Sequence, residues 1–125
     1  MNKILASLVL VPFLLIGCAT NLTLEQQDAY QQLAVITGVS YAVMAYIEDS
    51  DNPKKTAQEV INFIDHTLDP QVPNVDVSKL SPKDQLLVNT IIEVIKLQVK
   101  DNDYTLPANV NLLKHVRTRI LVYTL

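Results

Sequence analysis

The sequence lacks most of the residues on which small catalytic and metal-binding sites depend. Its 125 residues include one cysteine, two glycines and no tryptophan. A single cysteine excludes an internal disulfide and any zinc site built from several cysteines, and two glycines are too few for a glycine-rich phosphate-binding loop. The chain is also too short for a barrel enzyme or for a dinucleotide-binding enzyme with a separate substrate domain. We therefore expect one compact domain.

Basic residues and metal ligands are scarce as well. Ten lysines and arginines stand against 13 acidic residues, which argues against a nucleic-acid-binding face. His66 and His115 have no second histidine or cysteine at ligand spacing, so both are expected on the surface. The run 101–103, Asp-Asn-Asp, imitates the start of a calcium loop, but Leu106 and Leu112 replace the required glycine and glutamate. The sequence thus predicts no metal, no cofactor and no catalytic residue.

The first 17 residues have the pattern of a cleaved signal peptide. Lys3 gives a positive start, and the stretch from Ile4 to Ile16 carries no charge. That stretch is shorter than the roughly 20 apolar residues that a membrane-spanning helix needs. The boundary Leu15-Ile16-Gly17-Cys18 resembles the lipobox of bacterial lipoprotein precursors.

This resemblance implies a lipid anchor. In that family the cysteine thiol is alkylated by a diacylglycerol, the signal is cut immediately before the cysteine, and the new amine is acylated, commonly with palmitate. The cleavage would fall between Gly17 and Cys18, and Cys18 would carry the lipids. The residue after the cysteine is Ala19 and not aspartate, and in that family this pattern implies export onward to the outer membrane. Residues 18–23 then form a lipidated tether and residues 24–125 a single helical domain.

Four helices are predicted after the tether. Thr23 and Gln26 form a capping box before a helix from about Leu24 to about Ile47. Prolines at the first helical position open the other three. These helices begin at Pro53, Pro82 and Pro107, with an extended connection from Asp69 to Ser78. Apolar residues almost encircle the third helix, so we expect it to be the most buried. The expected fold class is all-α, a small antiparallel bundle of about four helices.

The second half of the first helix, from Leu33 to Ile47, carries no charge. Within it Ala34, Gly38 and Ala42 recur every four residues, a stripe that predicts the close approach of another helix. Two alternatives remain open for this segment. It packs inside a soluble bundle, which polar flanking residues favour, or it contacts lipid.

Positive charge gathers near the end of the sequence. No acidic residue follows Asp103, whereas Lys114, His115, Arg117 and Arg119 lie close together. Helical spacing of three and four places much of this cluster on one side. One interpretation is a solvated face that complements the dipole of its own helix. The other is a patch that docks an acidic protein or anionic lipid head groups.

These features favour a non-enzymatic, lipid-anchored helical protein that binds another membrane or envelope protein. Accessory and assembly factors such as the pilotins have this architecture, and the likeness is architectural only. The alternative hypothesis is a phage- or plasmid-encoded exclusion lipoprotein that blocks an outer-membrane receptor or DNA entry. The expected partners are the membrane, through the anchor, and an envelope protein, with neither nucleic acid nor a small-molecule substrate.

Overall fold

The computed structural model describes residues 23–125, which form four α-helices and no β-strand. The helices are α1 (Leu24–Glu48), α2 (Pro53–Leu68), α3 (Pro82–Gln98) and α4 (Pro107–Ile120). Two 3-10 turns, Lys100–Asn102 and Leu121–Thr124, precede and follow α4. The predicted all-α bundle of four helices is confirmed for the described residues.

Three of the helices begin at side-chain caps that are visible in the sequence. The Thr23 hydroxyl accepts from the Gln26 backbone N–H at 3.2 Å, and the Gln26 side chain accepts from the Thr23 N–H at 3.0 Å. Asn52 caps α2, and the Ser81 hydroxyl accepts from the Asp84 N–H at 3.2 Å to cap α3. Each cap contributes about 1 kcal/mol, because it satisfies a backbone donor that has no partner inside the helix.

The core centres on α2, which packs against the other three helices and the C-terminal turn. All four helices contribute fully buried aliphatic side chains: Val43, Ile47, Val60, Ile64, Val88, Ile91, Ile95, Leu113, Val116 and Ile120. The prediction that α3 is the most buried helix is wrong. Leu86 and Leu97 are 68% and 78% exposed, because α3 has neighbours on one side and carries more apolar residues than that side can cover.

The direction of the helices does not simply alternate. Residues from the first half of α1 and the start of α4 line one groove, and Glu48 at the end of α1 bonds to Tyr123, just after α4. α1 and α4 therefore run in the same direction. α2 and α3 both start at the Glu48 end, where Asp84 holds the α1–α2 turn. The extended connection, predicted from Asp69 to Ser78, occupies residues 69–81 and allows these two helices to run alongside each other.

Asp84 joins this turn to α3. Its side chain is 1% exposed, and its two oxygens accept from the N–H groups of Asp51 at 2.8 Å and Asn52 at 3.0 Å. Burial acts to raise the pKa of the Asp84 carboxyl, but the two N–H groups and the Ser50 hydroxyl hold it below its ordinary value. These hydrogen bonds thus stabilise the ionised form of the Asp84 carboxylate.

Among the described residues, the small-residue stripe of α1 does not form the predicted close contact at Gly38. Ala34 is buried and Ala42 is half-buried, but a Cβ added to Gly38 would meet no described atom within 4 Å. The buried positions of the same half-helix include Val39, Val43 and Ile47. These larger side chains face the core.

The uncharged half of α1 is buried on one side only. Val39, Val43 and Ile47 pack in the core of the bundle, whereas Leu33, Val35 and Tyr41 are 47%, 42% and 50% exposed. No helix in the part of the chain that the structure describes combines the length and hydropathy needed to cross a membrane.

Candidate binding surface

Arg117 lies apart from the rest of the predicted basic cluster. Its Nε and a terminal nitrogen donate to the two carboxylate oxygens of Asp65 on α2, at 2.7 and 3.2 Å. These bonds raise the pKa of the Arg117 guanidinium. Arg117 therefore ties α4 to α2. The sequence places the two residues 52 positions apart and offers no local signal for this pairing.

The other three members of the cluster remain exposed. Lys114, His115 and Arg119 are all on the surface, and among residues 23–125 none of their side chains has an ion pair or a hydrogen bond. Thr118 lies between them, and its hydroxyl donates to the Lys114 carbonyl at 2.9 Å. The positive charge on this side of α4 is therefore directed to solvent.

Apolar side chains continue this side of α4 into the C-terminal turn. Leu121 and Val122 are 38% and 57% exposed, whereas Tyr123 turns back and donates to Glu48 at 2.5 Å. Burial, and next the bond to the Glu48 carboxylate, raise the pKa of the Tyr123 phenol. This bond fixes the turn against the end of α1. Six exposed residues make up what we call the C-terminal face: Lys114, His115, Thr118, Arg119, Leu121 and Val122.

A groove lies at the other end of the bundle, beside the start of α1. Its volume is about 400 Å³, and α1, the end of α3 and the start of α4 line it. Apolar side chains such as Val35 and Leu112 alternate with amides, and the charged residues are Asp28 and Lys100. The lining contains no serine, cysteine or histidine.

His66 lies in a second cleft of about 380 Å³ between α2 and α3, together with Glu93 and Lys96. Its Nδ1 donates to the Val72 carbonyl at 2.6 Å, which holds the ring against the connection. The neighbouring Thr67 hydroxyl donates to a backbone carbonyl within α2. The His66 ring and the Thr67 hydroxyl in this cleft thus both donate hydrogen bonds to nearby backbone carbonyls.

The acidic turn before α4 is held together by its own residues. Asp103 accepts from the backbone and hydroxyl of Thr105, and these bonds, the hydroxyl first, lower the pKa of its carboxyl. Asn109, which is 2% exposed, bonds to the Lys100 backbone and to the Asp103 carbonyl. The sequence gives no signal for this role of Asn109, because it looks like an ordinary helical residue. Within residues 23–125 no three acidic, histidine or cysteine side chains are placed to hold a metal ion.

The predicted anchor, Cys18 with its cleavage site after Gly17, lies outside the described residues. The described chain starts at Thr23, the cap of α1. No family model, curated protein or solved structure matches this sequence.

Proposed function

We propose that the protein is a lipid-anchored helical module of the bacterial envelope that binds another envelope protein and catalyses no reaction. The anchor is Cys18, which the lipobox resemblance nominates, and the outer membrane is the expected location. Two or three acyl chains give durable attachment, since a single chain holds a protein only marginally. A tethered domain meets membrane partners at a raised effective concentration, so that modest contacts are enough.

The observation that supports binding most directly is the C-terminal face. Among residues 23–125, Lys83 and Arg117 form ion pairs with Asp51 and Asp65. The cations of the C-terminal face have none among the described residues, and exposed leucine and valine adjoin them. Surfaces that combine exposed apolar side chains with cationic groups are typical of sites for other macromolecules.

The anchor is tested by metabolic labelling with palmitate in the native host. The wild-type chain is expected to incorporate label and to begin at Cys18 after processing, whereas a Cys18→Ser variant incorporates none. A matched Ser7→Ala change, inside the apolar run, is the control and should leave labelling intact. An unlabelled wild-type protein, or a mature chain that begins at another residue, contradicts the anchor.

Binding is tested by chemical crosslinking and affinity purification of the lipidated protein from native membranes. We expect one envelope protein to copurify reproducibly, in amounts close to the bait, and to be lost when the anchor is removed by Cys18→Ser. Secretion or pilus components would indicate an assembly factor, and a receptor or DNA-uptake component would indicate an exclusion factor. A purified protein that binds nothing but turns over a substrate would contradict the proposal.

A further inference from the structure

We infer that the exposed side of α1 forms a twofold interface with the same helix of a second copy of this chain, with the two helices antiparallel. This inference goes beyond the proposed function and is independent of the C-terminal face. It depends on three properties of α1. Most of its exposed side carries no charge, its exposed side chains are spaced symmetrically, and the helix contains no basic residue.

The exposed side of α1 differs in composition from those of the other three helices. α2, α3 and α4 each present charged side chains to solvent, as helices on the surface of a domain usually do. These include Lys54, Lys55, Lys83, Lys96, Lys114 and Arg119. Residues 29–47 of α1 carry no charge, although Tyr30, Leu33 and Tyr41 are exposed. Depletion of charge together with accessible aromatic side chains is typical of the centre of a protein interface.

The exposed side chains belong to a row that reads the same in both directions. This row, which we call the α1 row, consists of Tyr30, Leu33, Thr37, Tyr41 and Met44, at spacings of three, four, four and three residues. Such spacings keep the row on one side of the helix. Thr37 and Met44 are half-buried, and Met44 also packs against the core. Thr37 is the centre of the row.

The symmetry of the α1 row selects a second copy as its occupant. In a twofold interface, residue i contacts residue j of the other copy, and j contacts i in return. Two antiparallel α1 helices that cross at Thr37 place Leu33 of each copy beside Tyr41 of the other. The same crossing places Tyr30 beside Met44, and an aromatic ring packs well against a thioether. Neither copy brings a charge to the row, so the two surfaces do not repel each other.

Anionic lipid is a poorer occupant for this side of α1. Helices that lie on a membrane surface carry lysine or arginine beside their apolar side chains. α1 contains neither, and its charged residues are Glu25, Asp28 and Glu48. The charge of this helix therefore repels anionic head groups. A second copy instead supplies an uncharged row of matching length.

The interface is small, so we expect the dimer to be reversible. Five side chains from each copy are fewer than the roughly 20–30 residues per side of a standard interface. The expected dissociation constant is in the micromolar range. Covalent trapping is the appropriate measurement, because it records contacts that are short-lived.

The experiment introduces cysteine into the full chain in its native envelope and measures oxidative crosslinking on non-reducing gels. Thr37→Cys should form a disulfide-linked dimer, because this position meets its own counterpart at the twofold axis. Leu33→Cys and Tyr41→Cys should each fail to crosslink alone, since about 12 Å along the helix separates each from its counterpart. Coexpression of these two variants should give a mixed dimer. The unsubstituted chain and Leu86→Cys, on the exposed side of α3, are the controls and should give none.

Charge substitutions in the Thr37→Cys chain test the same register. Leu33→Glu or Tyr41→Lys alone should reduce the crosslinked fraction about tenfold, because each places an unpaired charge in the interface. The two changes in one chain should restore crosslinking, because opposite charges then face each other on both sides of the axis.

The inference would be overturned by the absence of a Thr37→Cys dimer, or by a crosslink from this position to a different protein. Self-crosslinking of Leu33→Cys as strong as that of Thr37→Cys would overturn it too, because it would indicate parallel helices. A double charge variant as weak as the single variants would contradict the register. If Thr37→Cys neither crosslinks nor reacts with a membrane-impermeant maleimide, the occupant is lipid and the inference is wrong.

Discussion

Replacing Asp84 by alanine should remove a large fraction of the stability of the fold. The carboxylate accepts from two backbone N–H groups where α2 begins, and it is almost completely buried. A hydrogen bond to a charged group is worth about 1.5–3 kcal/mol, and the substitution removes two of them. A loss of about 3–5 kcal/mol is expected, against a total of about 5–15 kcal/mol for a domain of this kind.

The assay is urea unfolding of residues 19–125, secreted behind an ordinary leader peptide and followed by circular dichroism. At a typical slope of 1–3 kcal/mol per molar urea, the midpoint should fall by about 2 M. Asp84→Asn keeps one acceptor but sets an amide donor against the other N–H, so its cost should be intermediate. Asp76→Ala is the matched control, because that exposed carboxylate bonds only within its own turn to Ser78.

The contribution of Asp84 also depends on pH, and the sign follows from its pKa. Because the folded pKa is below the ordinary value of 3.8, the stabilisation is complete above that value and is lost as the pH falls through the folded pKa. The difference between the wild type and Asp84→Asn should therefore shrink in acid. A cost for Asp84→Ala below about 1 kcal/mol, or no greater than that of the control, would refute the assigned role.

Three further predictions concern single side chains. Gly38→Ala should raise the thermal midpoint of unfolding. Alanine is favoured over glycine by up to about 1 kcal/mol in a helix, and the added Cβ meets no described atom. A lower midpoint would support the close-contact hypothesis instead. Asn109→Ala should cost about 2–4 kcal/mol in urea unfolding, since it removes three bonds to the turn before α4, and a cost near zero would argue against that clamp. Tyr123→Phe should lower the free energy of unfolding by about 1 kcal/mol. The folded pKa of Tyr123 lies above the ordinary value of 10.0, so the contribution of its bond to Glu48 is present below pH 10 and is lost as the pH rises above it. Spectrophotometric titration should show one fewer late-ionising tyrosine in the variant, and identical titrations would contradict the bond.

The helices were predictable because their signals are local. Thr23 with Gln26 and Ser81 with Asp84 are three residues apart, and each pair marks a helix start where the structure has one. Proline at the first position of the last three helices adds a second local signal. Local chemistry of this kind is independent of how the helices later pack.

The packing was less predictable, because it depends on contacts between distant residues. In the sequence, Asp84 looks like half of a capping box. Its carboxylate oxygens instead accept hydrogen bonds from the backbone N–H groups of Asn52 and Asp51, which lie 32 and 33 positions earlier. The four-residue repeat at Gly38 resembles a helix contact, and only the neighbouring helices show that it has none within the described residues. For the basic cluster, the sequence shows where the positive charges gather, but it does not show that Arg117 pairs with Asp65.

The central position of α2 has a consequence for biogenesis. The apolar side of α2 is fully buried only when α4 and the turn that follows α4 pack against it. α4 ends about 50 residues after α2 does. At 5–20 residues per second, a ribosome needs several seconds to make that length, during which Val60 and Ile64 have no complete cover. A nascent chain in that condition exposes apolar side chains of the kind that holding chaperones recognise.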